Sequence, residues 1–177
     1  TIYGELNQSP IKENNIINPT NPYGNTKAII EKFLSDIYRS SPKEWKIANL
    51  RYFNPVGAHP SGLIGENPNG TPNNIFPIIG KVAKKEINKL KIFGNDWDTP
   101  DGTGIRDYIH VSDVADGHIA TYEYLKNDSS QILNINLGTG IGTSVLELVK
   151  SYEKSNNVQI PYELSLIHIS EPTRPID

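Results

Sequence analysis

Residues 21–53 read NPYGNTKAIIEKFLSDIYRSSPKEWKIANLRYF, in which a helix pattern is followed directly by a strand pattern. Asn21 followed by Pro22 predicts a helix start, because proline suits the first helical turn. Apolar residues then recur with the spacing of one helix face, at Ile30, Phe33, Leu34 and Ile37. The mostly apolar run 47–53 predicts a buried strand. A helix followed by such a strand favours an α/β fold with a parallel sheet.

The first turns of this helix carry a tyrosine and a lysine four residues apart, Tyr23 and Lys27. Residues at i and i+4 share one helix face, so the phenol and the ammonium can face the same site. Tyrosine is a poor base at neutral pH, and a nearby positive charge favours its phenolate form. The pair therefore predicts a proton acceptor, although surface pairs with this spacing also arise by chance.

Beyond this segment, helix and strand patterns continue to alternate. A loop rich in Gly, Pro and Asn fills residues 55–74, a length typical of functional loops. Further strands are predicted at 91–93, 108–111 and 132–137, and further helices begin near residues 75, 112 and 144. Ser112 is the predicted cap of the second of these helices. For the third, Ser144 and Glu147 form a capping box, and the buried stripe is predicted at Val145, Leu148, Val149 and Tyr152.

The composition of the 177 residues is that of a globular protein, with 36% hydrophobic and 21% charged residues. A net charge of −3 gives no electrostatic case for nucleic acid as a partner. No apolar run approaches the roughly 20 residues that span a membrane, so no membrane partner is predicted. Cysteine is absent, which excludes disulfides and thiolate metal sites. We expect a cytoplasmic protein.

Two loops resemble ligand sites only weakly. The segment from Gly138 to Gly142 lies between a predicted strand and a predicted helix, as phosphate-cradling loops do. Its spacing is not that of the dinucleotide fingerprint, so a tight turn that positions the last helix is the favoured interpretation.

Asp96, Asp98 and Asp101 hint at a calcium loop, but the EF-hand spacing and its closing glutamate are absent. We predict no metal site.

Three polar residues beside predicted elements are candidates for ligand binding, namely Asn54, Asn74 and Arg106. An amide offers both a donor and an acceptor, as hydroxyl-rich sugars require. Asparagine is also a common turn residue, which is the alternative for both positions. Arg106 could clamp a diphosphate with its planar fork, or form a structural ion pair with the adjacent Asp107.

A series of motifs resembles a known family. After the Tyr23–Lys27 segment come RYFNPVGA at 51–58, NPNGTPNN at 67–74, DTPDGTG at 98–104, RDYIHV at 106–111 and NLGTG at 136–140. In this order and spacing, the chain resembles the UDP-glucose 4-epimerase family of the extended short-chain dehydrogenase/reductase superfamily. The resemblance runs from Thr1 to about Tyr162.

The resemblance implies an enzyme that holds NAD in a Rossmann domain and interconverts UDP-glucose and UDP-galactose. Tyr23 would take the proton of the sugar C4 hydroxyl while hydride passes to the nicotinamide. The 4-keto sugar would rotate and accept the hydride on its other face, so the cofactor is not consumed. Lys27 would favour the tyrosine phenolate and bind the nicotinamide ribose. The implied cofactor contacts are Tyr23, Lys27, Tyr52, Phe53 and Pro55. The implied substrate contacts are Asn54, Asn74 and Arg106, with Ile92 and Phe93 near the uracil.

The resemblance also implies a domain organisation. Residues 1–57 are expected to form the second half of the NAD-binding Rossmann domain, and 58–163 a smaller α/β substrate-binding region. Residues 107–125 are expected to pack back on the Rossmann part. The chain is expected to be the C-terminal portion of that fold, because the dinucleotide glycines of the family would precede Thr1. Residues 164–177 depart from the family and are expected to be a foreign tail.

Two alternatives stay open at this point. A nucleotide-sugar 4,6-dehydratase, or another epimerase on the same scaffold, would share Tyr23 and Lys27, although 51–58 and 67–74 look more like the 4-epimerases. A protein that binds nucleotide sugars without catalysis is a different class of function. We expect the fragment itself to be inactive, and a homodimer is an option for the full-length protein.

Overall fold

Helices and strands alternate along the chain in a computed structural model that describes residues 1–4, 10–70 and 72–165. The helices are α1 (Pro22–Ser40), α2 (Ile75–Ala83), α3 (Val111–Asn127) and α4 (Val145–Asn156). The strands are β1 (Lys46–Tyr52), β2 (Asn54–Val56), β3 (Leu90–Phe93), β4 (Ile105–Arg106), β5 (Tyr108–His110), β6 (Gln131–Leu137), β7 (Thr143–Ser144) and β8 (Tyr162–Ser165). The α/β fold class is thereby confirmed. Of the expected tail, 166–177 lie outside the described residues.

The chain folds as two compact units whose boundaries are not contiguous in sequence. Unit 1 contains the described residues of 1–52 and 113–137, and therefore α1, β1, β6 and nearly all of α3. Unit 2 contains those of 53–112 and of 138–165. The assignment of a cofactor role to 1–57 and of a substrate role to 58–163 stays a prediction.

Unit 1 is built on one parallel pair of strands, β1 and β6. They pair in register, from Lys46 opposite Gln131 to Tyr52 opposite Leu137. Helix α1 packs on both strands. Because the carboxyl ends of parallel strands lie at one edge, the ends of β1 and β6 present their last residues together.

The start of α1 is as predicted. Asn21 caps the helix, and its Oδ1 accepts the Gly24 backbone N–H over 2.8 Å, with Pro22 in the first turn. Gly24 is buried, and a Cβ at this position would lie 2.8 Å from the Pro19 Cβ. The glycine after Tyr23 is therefore required by the close approach of the preceding loop.

The apolar face of α1 is only partly covered. Leu34 and Ile37 are half-buried, whereas Ile30 and Phe33 are exposed, as is the neighbouring Ile29. The predicted helix is confirmed, but the predicted stripe buries only its C-terminal half within the part of the chain that the structure describes.

Unit 2 has the larger hydrophobic core. Strand β3 pairs in parallel with β8, β2 in parallel with β5, and β4 antiparallel with β7. The core residues come from α2, β3, α4 and the segment after α4, namely Ile79, Val82, Leu90, Ile92, Leu148, Val149 and Ile160. The predicted stripe of α4 is confirmed, since Val145 and Tyr152 pack against this cluster.

The capping prediction for α4 is confirmed and that for α3 is wrong. Ser144 Oγ accepts the Glu147 N–H over 3.1 Å, and Glu147 Oε2 accepts the Ser144 N–H over 2.8 Å. Helix α3 begins at Val111, before Ser112. Its first turn is capped instead by the imidazole of His110, whose Nδ1 accepts the Ser112 N–H over 3.2 Å. Among the described helices, none combines the length and the apolar character that crossing a bilayer requires.

Candidate functional site

Tyr23 and Lys27 lie together on the exposed face at the start of α1. The Lys27 Nζ is 5.1 Å from the centroid of the Tyr23 ring, and 55% of Tyr23 is exposed. A cation at this distance is attracted by the ring, which keeps the ammonium beside the phenol. The predicted pairing on one helix face is confirmed. The catalytic role of the pair stays a prediction.

One turn further along α1, Glu31 is held by a buried arginine. The Arg51 Nε donates to Glu31 Oε1 over 2.9 Å, and Arg51 Nη2 donates to Oε2 over 2.6 Å. This is the two-pronged arrangement that a guanidinium makes with a carboxylate. The hydrogen bond to Glu31 raises the pKa of Arg51 further above its ordinary value. The pair fixes α1 to the end of β1.

Arg51 is also bonded to the N-terminal segment. Its Nη1 donates to the Tyr3 hydroxyl over 2.7 Å and to the Glu13 carbonyl over 3.0 Å. The Tyr3 hydroxyl in turn donates to Asn136 Oδ1 over 2.6 Å. The Asn136 backbone N–H donates to the Glu13 carboxylate over 2.9 Å and lowers the pKa of that group. The network ties together the N-terminal segment, α1, β1 and β6.

Tyr52 ends β1 and pairs with a histidine of α3. The Tyr52 hydroxyl lies 3.1 Å from His118 Nε2, and His118 Nδ1 lies 2.8 Å from the Val114 carbonyl oxygen. Since a carbonyl can only accept, Nδ1 carries the proton in the neutral imidazole and Nε2 accepts from the phenol. The predicted cofactor contact at Tyr52 therefore has its hydroxyl oriented by His118.

Phe53, Asn54 and Pro55 follow in unit 2. A Cβ at Gly138 would lie 2.6 Å from Phe53 Cδ2, so only glycine fits beside this ring. The Asn54 backbone N–H donates to the Asp107 carbonyl over 3.0 Å, which leaves the Asn54 side chain out of this strand pairing. Pro55 lies opposite Ile109 in the β2–β5 pair.

The glycine-rich turn 138–140 is occupied by a carboxylate of the chain itself. Asp107 Oδ1 accepts the Thr139 N–H over 2.9 Å and the Thr139 hydroxyl over 2.7 Å, and Oδ2 accepts the Gly140 N–H over 2.8 Å. Because these N–H and O–H groups already donate to a carboxylate, they are not available to bind a phosphate. The arrangement supports the interpretation of this segment as a tight turn rather than a nucleotide loop.

Arg106 and Asn74 lie at exposed positions of unit 2. Arg106 is in β4, and its Nη1 donates to the Ile105 carbonyl over 2.9 Å. Asn74 precedes α2 without a side-chain cap, and its Nδ2 donates to Glu66 Oε1 over 2.6 Å. Neither interaction assigns a ligand, so both substrate contacts stay predictions.

Ile92 and Phe93 alternate in β3 and face opposite sides. Ile92 belongs to the buried core, whereas Phe93 is exposed. Of the two predicted neighbours of the uracil, only Phe93 offers its side chain to a ligand.

The acidic loop before β4 uses its central carboxylate internally. Asp101 Oδ1 accepts the Thr103 N–H over 2.9 Å and the Thr103 hydroxyl over 2.7 Å, and Oδ2 accepts the Ser144 hydroxyl. Burial acts to raise the pKa of Asp101, but these hydrogen bonds outweigh it and lower the pKa. In residues 1–4, 10–70 and 72–165, no three acidic or histidine side chains are grouped so that they could hold a metal.

A model of the NAD dependent epimerase/dehydratase family matches residues 1–136. The chain belongs to this family.

Named relatives and solved structures agree with the family assignment. The chain is 50% identical over 165 residues to the UDP-glucose 4-epimerase of Bacillus subtilis, covering 93% of the chain and 48% of the relative. It is 53% identical over 161 residues to UDP-glucose 4-epimerase 2 of Arabidopsis thaliana, covering 91% of the chain and 46% of the relative. The crystal structure of the Stenotrophomonas maltophila UDP-glucose 4-epimerase, with bound NAD and formylated UDP-arabinopyranose, matches with a TM-score of 0.90 and 42% identity. That match covers 94% of this chain and 49% of the other.

The chain therefore spans about half the length of the epimerases that it matches. Within it, Tyr23, Lys27 and Tyr52 belong to unit 1. The other predicted contacts of this family member belong to unit 2, namely Phe53, Asn54, Pro55, Asn74, Ile92, Phe93 and Arg106.

The Arg51–Glu31 pair is a feature of the site that was not predicted from the sequence. Two signals were present: an arginine inside a buried strand pattern, which must find a partner, and a glutamate four residues after Lys27. Neither signal predicts that these two residues pair with each other, because they are 20 positions apart.

Proposed function

We propose that the whole protein interconverts UDP-glucose and UDP-galactose with NAD as its cofactor, as part of galactose metabolism. The observation that carries the proposal is the Lys27 ammonium beside the exposed Tyr23 phenol at the start of α1. It occurs in a chain about 50% identical to proteins named UDP-glucose 4-epimerase. The pair supplies the acid–base group that an oxidation at a sugar hydroxyl needs.

The donors present on α1 fit a nicotinamide ribose. A phenol and an ammonium exposed on one helix face can bind the two hydroxyls of a ribose, and Lys27 and Tyr23 are so placed. When bound, NAD would supply a reversible acceptor for the hydride of the sugar C4–H bond. We assign no phosphate of the cofactor to the turn at 138–140, since Asp107 holds its donors.

In the proposed reaction, Tyr23 acts as the phenolate. It would take the proton of the C4 hydroxyl in the oxidation and return it to the oxygen in the reduction. The Lys27 charge would favour the phenolate at neutral pH, when a free phenol is almost fully protonated. Tyr52, Phe53 and Pro55 would line the nicotinamide side, with the Tyr52 hydroxyl turned towards His118.

The UDP-sugar would be held by residues of unit 2. Arg106 would bind the diphosphate through its guanidinium, because a planar fork matches phosphate oxygens. Asn54 and Asn74 would offer amide groups to sugar or nucleotide oxygens. Phe93 would contact the uracil with its exposed ring, and Ile92 would support it from the core.

We also propose that 1–57 belong to the NAD-binding half of the whole protein and 58–163 to the substrate half. The grouping of 113–137 with 1–52 in unit 1 supports the expected return to the Rossmann part for residues 113–125, whereas 107–112 group with unit 2. The exposed Ile29, Ile30 and Phe33 of α1 are consistent with a further contact in the whole protein, such as a homodimer.

The test is product analysis with the whole protein, NAD and UDP-galactose. Formation of UDP-glucose to a constant ratio, starting from either sugar, is the expected result. A 4-keto-6-deoxy product would assign a dehydratase instead. Tight binding of UDP-sugar without any product would assign a non-catalytic binding protein.

A further inference from the structure

Three residues of α1 follow one another at intervals of four, namely Tyr23, Lys27 and Glu31. Neighbours at this spacing lie close enough to form ion pairs. Lys27 therefore stands between two groups that compete for its charge, the phenol on one side and a carboxylate on the other. A Lys27 paired with Glu31 would be electrically neutralised, and would lose much of its effect on the phenol.

The structure gives the Glu31 carboxylate to another partner. Both of its oxygens are bonded to the Arg51 guanidinium, at 2.9 and 2.6 Å, while Lys27 Nζ lies 5.1 Å from the Tyr23 ring centroid. We propose that Arg51 is a positioning residue, which keeps Glu31 away from Lys27 so that the lysine charge acts on Tyr23. The proposal rests on the proposed function only for the role of Tyr23 as the base.

The Arg51–Glu31 pair is built to persist. Its side chains are only 6% and 13% exposed. A second arginine–carboxylate pair, Arg39 with Asp36, lies within α1, and its side chains are 77% and 58% exposed. Water and salt weaken an exposed pair, whereas a buried bidentate pair keeps its geometry. Arg39 therefore serves as a matched control for the removal of an arginine from the same unit.

The groups described around the Glu31–Arg51 pair come from β1, the N-terminal segment and α1. From β1 it faces Arg51, and the N-terminal segment contributes Tyr3 and Glu13, which both bind Arg51. Its own helix contributes Lys27. If Arg51 were removed, the freed carboxylate could pair with Lys27, which lies four residues before it on the same helix.

The experiment measures the titration of Tyr23 itself. The ultraviolet difference absorbance of tyrosinate is recorded against pH in the whole protein, and the same titration of the Tyr23→Phe variant is subtracted. Arg51→Gln should move the Tyr23 transition to higher pH, because the freed Glu31 carboxylate can then pair with Lys27 one turn away. Arg51→Gln combined with Glu31→Gln should restore the original transition. Arg39→Gln should leave it in place.

Two results would overturn the proposal. One is an unmoved transition in Arg51→Gln. The other is an equal displacement in Arg51→Gln and in the double variant, which would mean that loss of packing, and not release of the carboxylate, is the cause.

If Arg51→Gln does not fold, a second comparison that retains Arg51 decides the question. Lys27→Gln should displace the Tyr23 transition by the same amount with Glu31 present or with Glu31→Gln. If Lys27→Gln displaces the Tyr23 transition less when Glu31 is present, then Glu31 already neutralises Lys27 and the proposal is wrong. These titrations need no substrate. A failure to convert UDP-galactose would therefore count against the proposed function alone.

Discussion

At the scale of single residues, the proposed role of Tyr23 depends on the placement of one positive charge, that of Lys27. The Lys27 Nζ lies 5.1 Å from the centroid of the Tyr23 ring, and its helical neighbour Glu31 is bound by Arg51. The same ammonium would be of little use to a phenol if it were shared with a carboxylate one turn away. The proposed chemistry at Tyr23 would therefore depend on the contact between Arg51 and Glu31, in which Tyr23 takes no part.

The first prediction removes the phenol oxygen. In the whole protein, Tyr23→Phe should lower kcat by about 10²–10⁴-fold, the usual contribution of a general base. UDP-sugar affinity should change little, since the proposed contacts to the diphosphate and the uracil are made by Arg106 and Phe93. Turnover and the Kd for UDP-glucose are measured together. Tyr38→Phe removes a hydroxyl from the same helix and serves as the control, and near-normal turnover in Tyr23→Phe would exclude Tyr23 from the mechanism.

The second prediction concerns the diphosphate. Arg106→Ala should weaken UDP-sugar binding about tenfold or more and leave NAD binding nearly unchanged, because charge-assisted hydrogen bonds contribute about 1.5–3 kcal/mol. Arg106→Lys should recover only part, since an ammonium cannot make the planar fork. Isothermal titration with each ligand separates the two affinities. Equal losses for NAD and UDP-sugar would indicate a structural role for Arg106.

The residue scale also shows where the sequence stops being informative. Tyr23 and Lys27 could be paired from their spacing, because helix geometry relates positions four apart. The network of Arg51 could not, since its partners Glu31 and Tyr3 are 20 and 48 positions away. A buried arginine must have hydrogen-bonding partners, but the sequence does not indicate which residues they are.

At the scale of elements, local signals were sufficient where they involved only neighbouring residues. The cap at Asn21 and the box at Ser144 and Glu147 were predicted and are present. The cap at Ser112 was wrong because His110 at the end of β5 takes that role, and strand and helix follow without a gap. How far the apolar stripe of α1 is buried could not be predicted, because that depends on which surfaces meet it.

The third prediction tests the start of α4. Ser144→Ala removes the capping bond to Glu147 and the hydroxyl that Asp101 accepts. Loss of an N-cap alone costs about 1 kcal/mol, so the free energy of unfolding should fall by at least that amount. Ser112→Ala removes no cap, so it should lower the free energy of unfolding by much less. Urea unfolding of both variants is compared with the parent protein, and equal losses would contradict the assignment.

The fourth prediction uses the pH dependence of Asp101. Its pKa is lower in the folded chain than in the unfolded chain, since hydrogen bonds from Ser144 and Thr103 outweigh burial. The carboxylate thus stabilises the fold above its unfolded pKa of about 3.9, and this stability is lost as the pH falls through the folded pKa. Asp101→Asn should lower the Tm at pH 7, and the difference should shrink below about pH 4. A difference that is constant with pH would remove Asp101 as the titrating group.

At the scale of the whole molecule, each of the two compact units is built from separate stretches of the chain. Residues 113–137 leave unit 2 and return to unit 1, where β6 pairs with β1 along its full length. The resemblance implied two regions, 1–57 and 58–163, with residues 107–125 packing back on the first; the structure places residues 113–137 in unit 1. A parallel pair needs a crossover connection between its strands, and here the crossover contains most of unit 2.

The last prediction concerns residues 1–177 expressed alone. The chain spans about half the length of the epimerases that it matches. Several large apolar side chains are exposed on α1 and α3, including Ile29, Phe33, Ile119 and Tyr122. Exposed apolar surface of this kind promotes association. We therefore predict that the chain alone neither retains NAD nor converts UDP-galactose, and that it aggregates with rising concentration. Light scattering, NAD retention after gel filtration and turnover are measured beside the whole protein. Stoichiometric NAD together with measurable turnover in the chain alone would show that these residues already contain a complete catalytic unit.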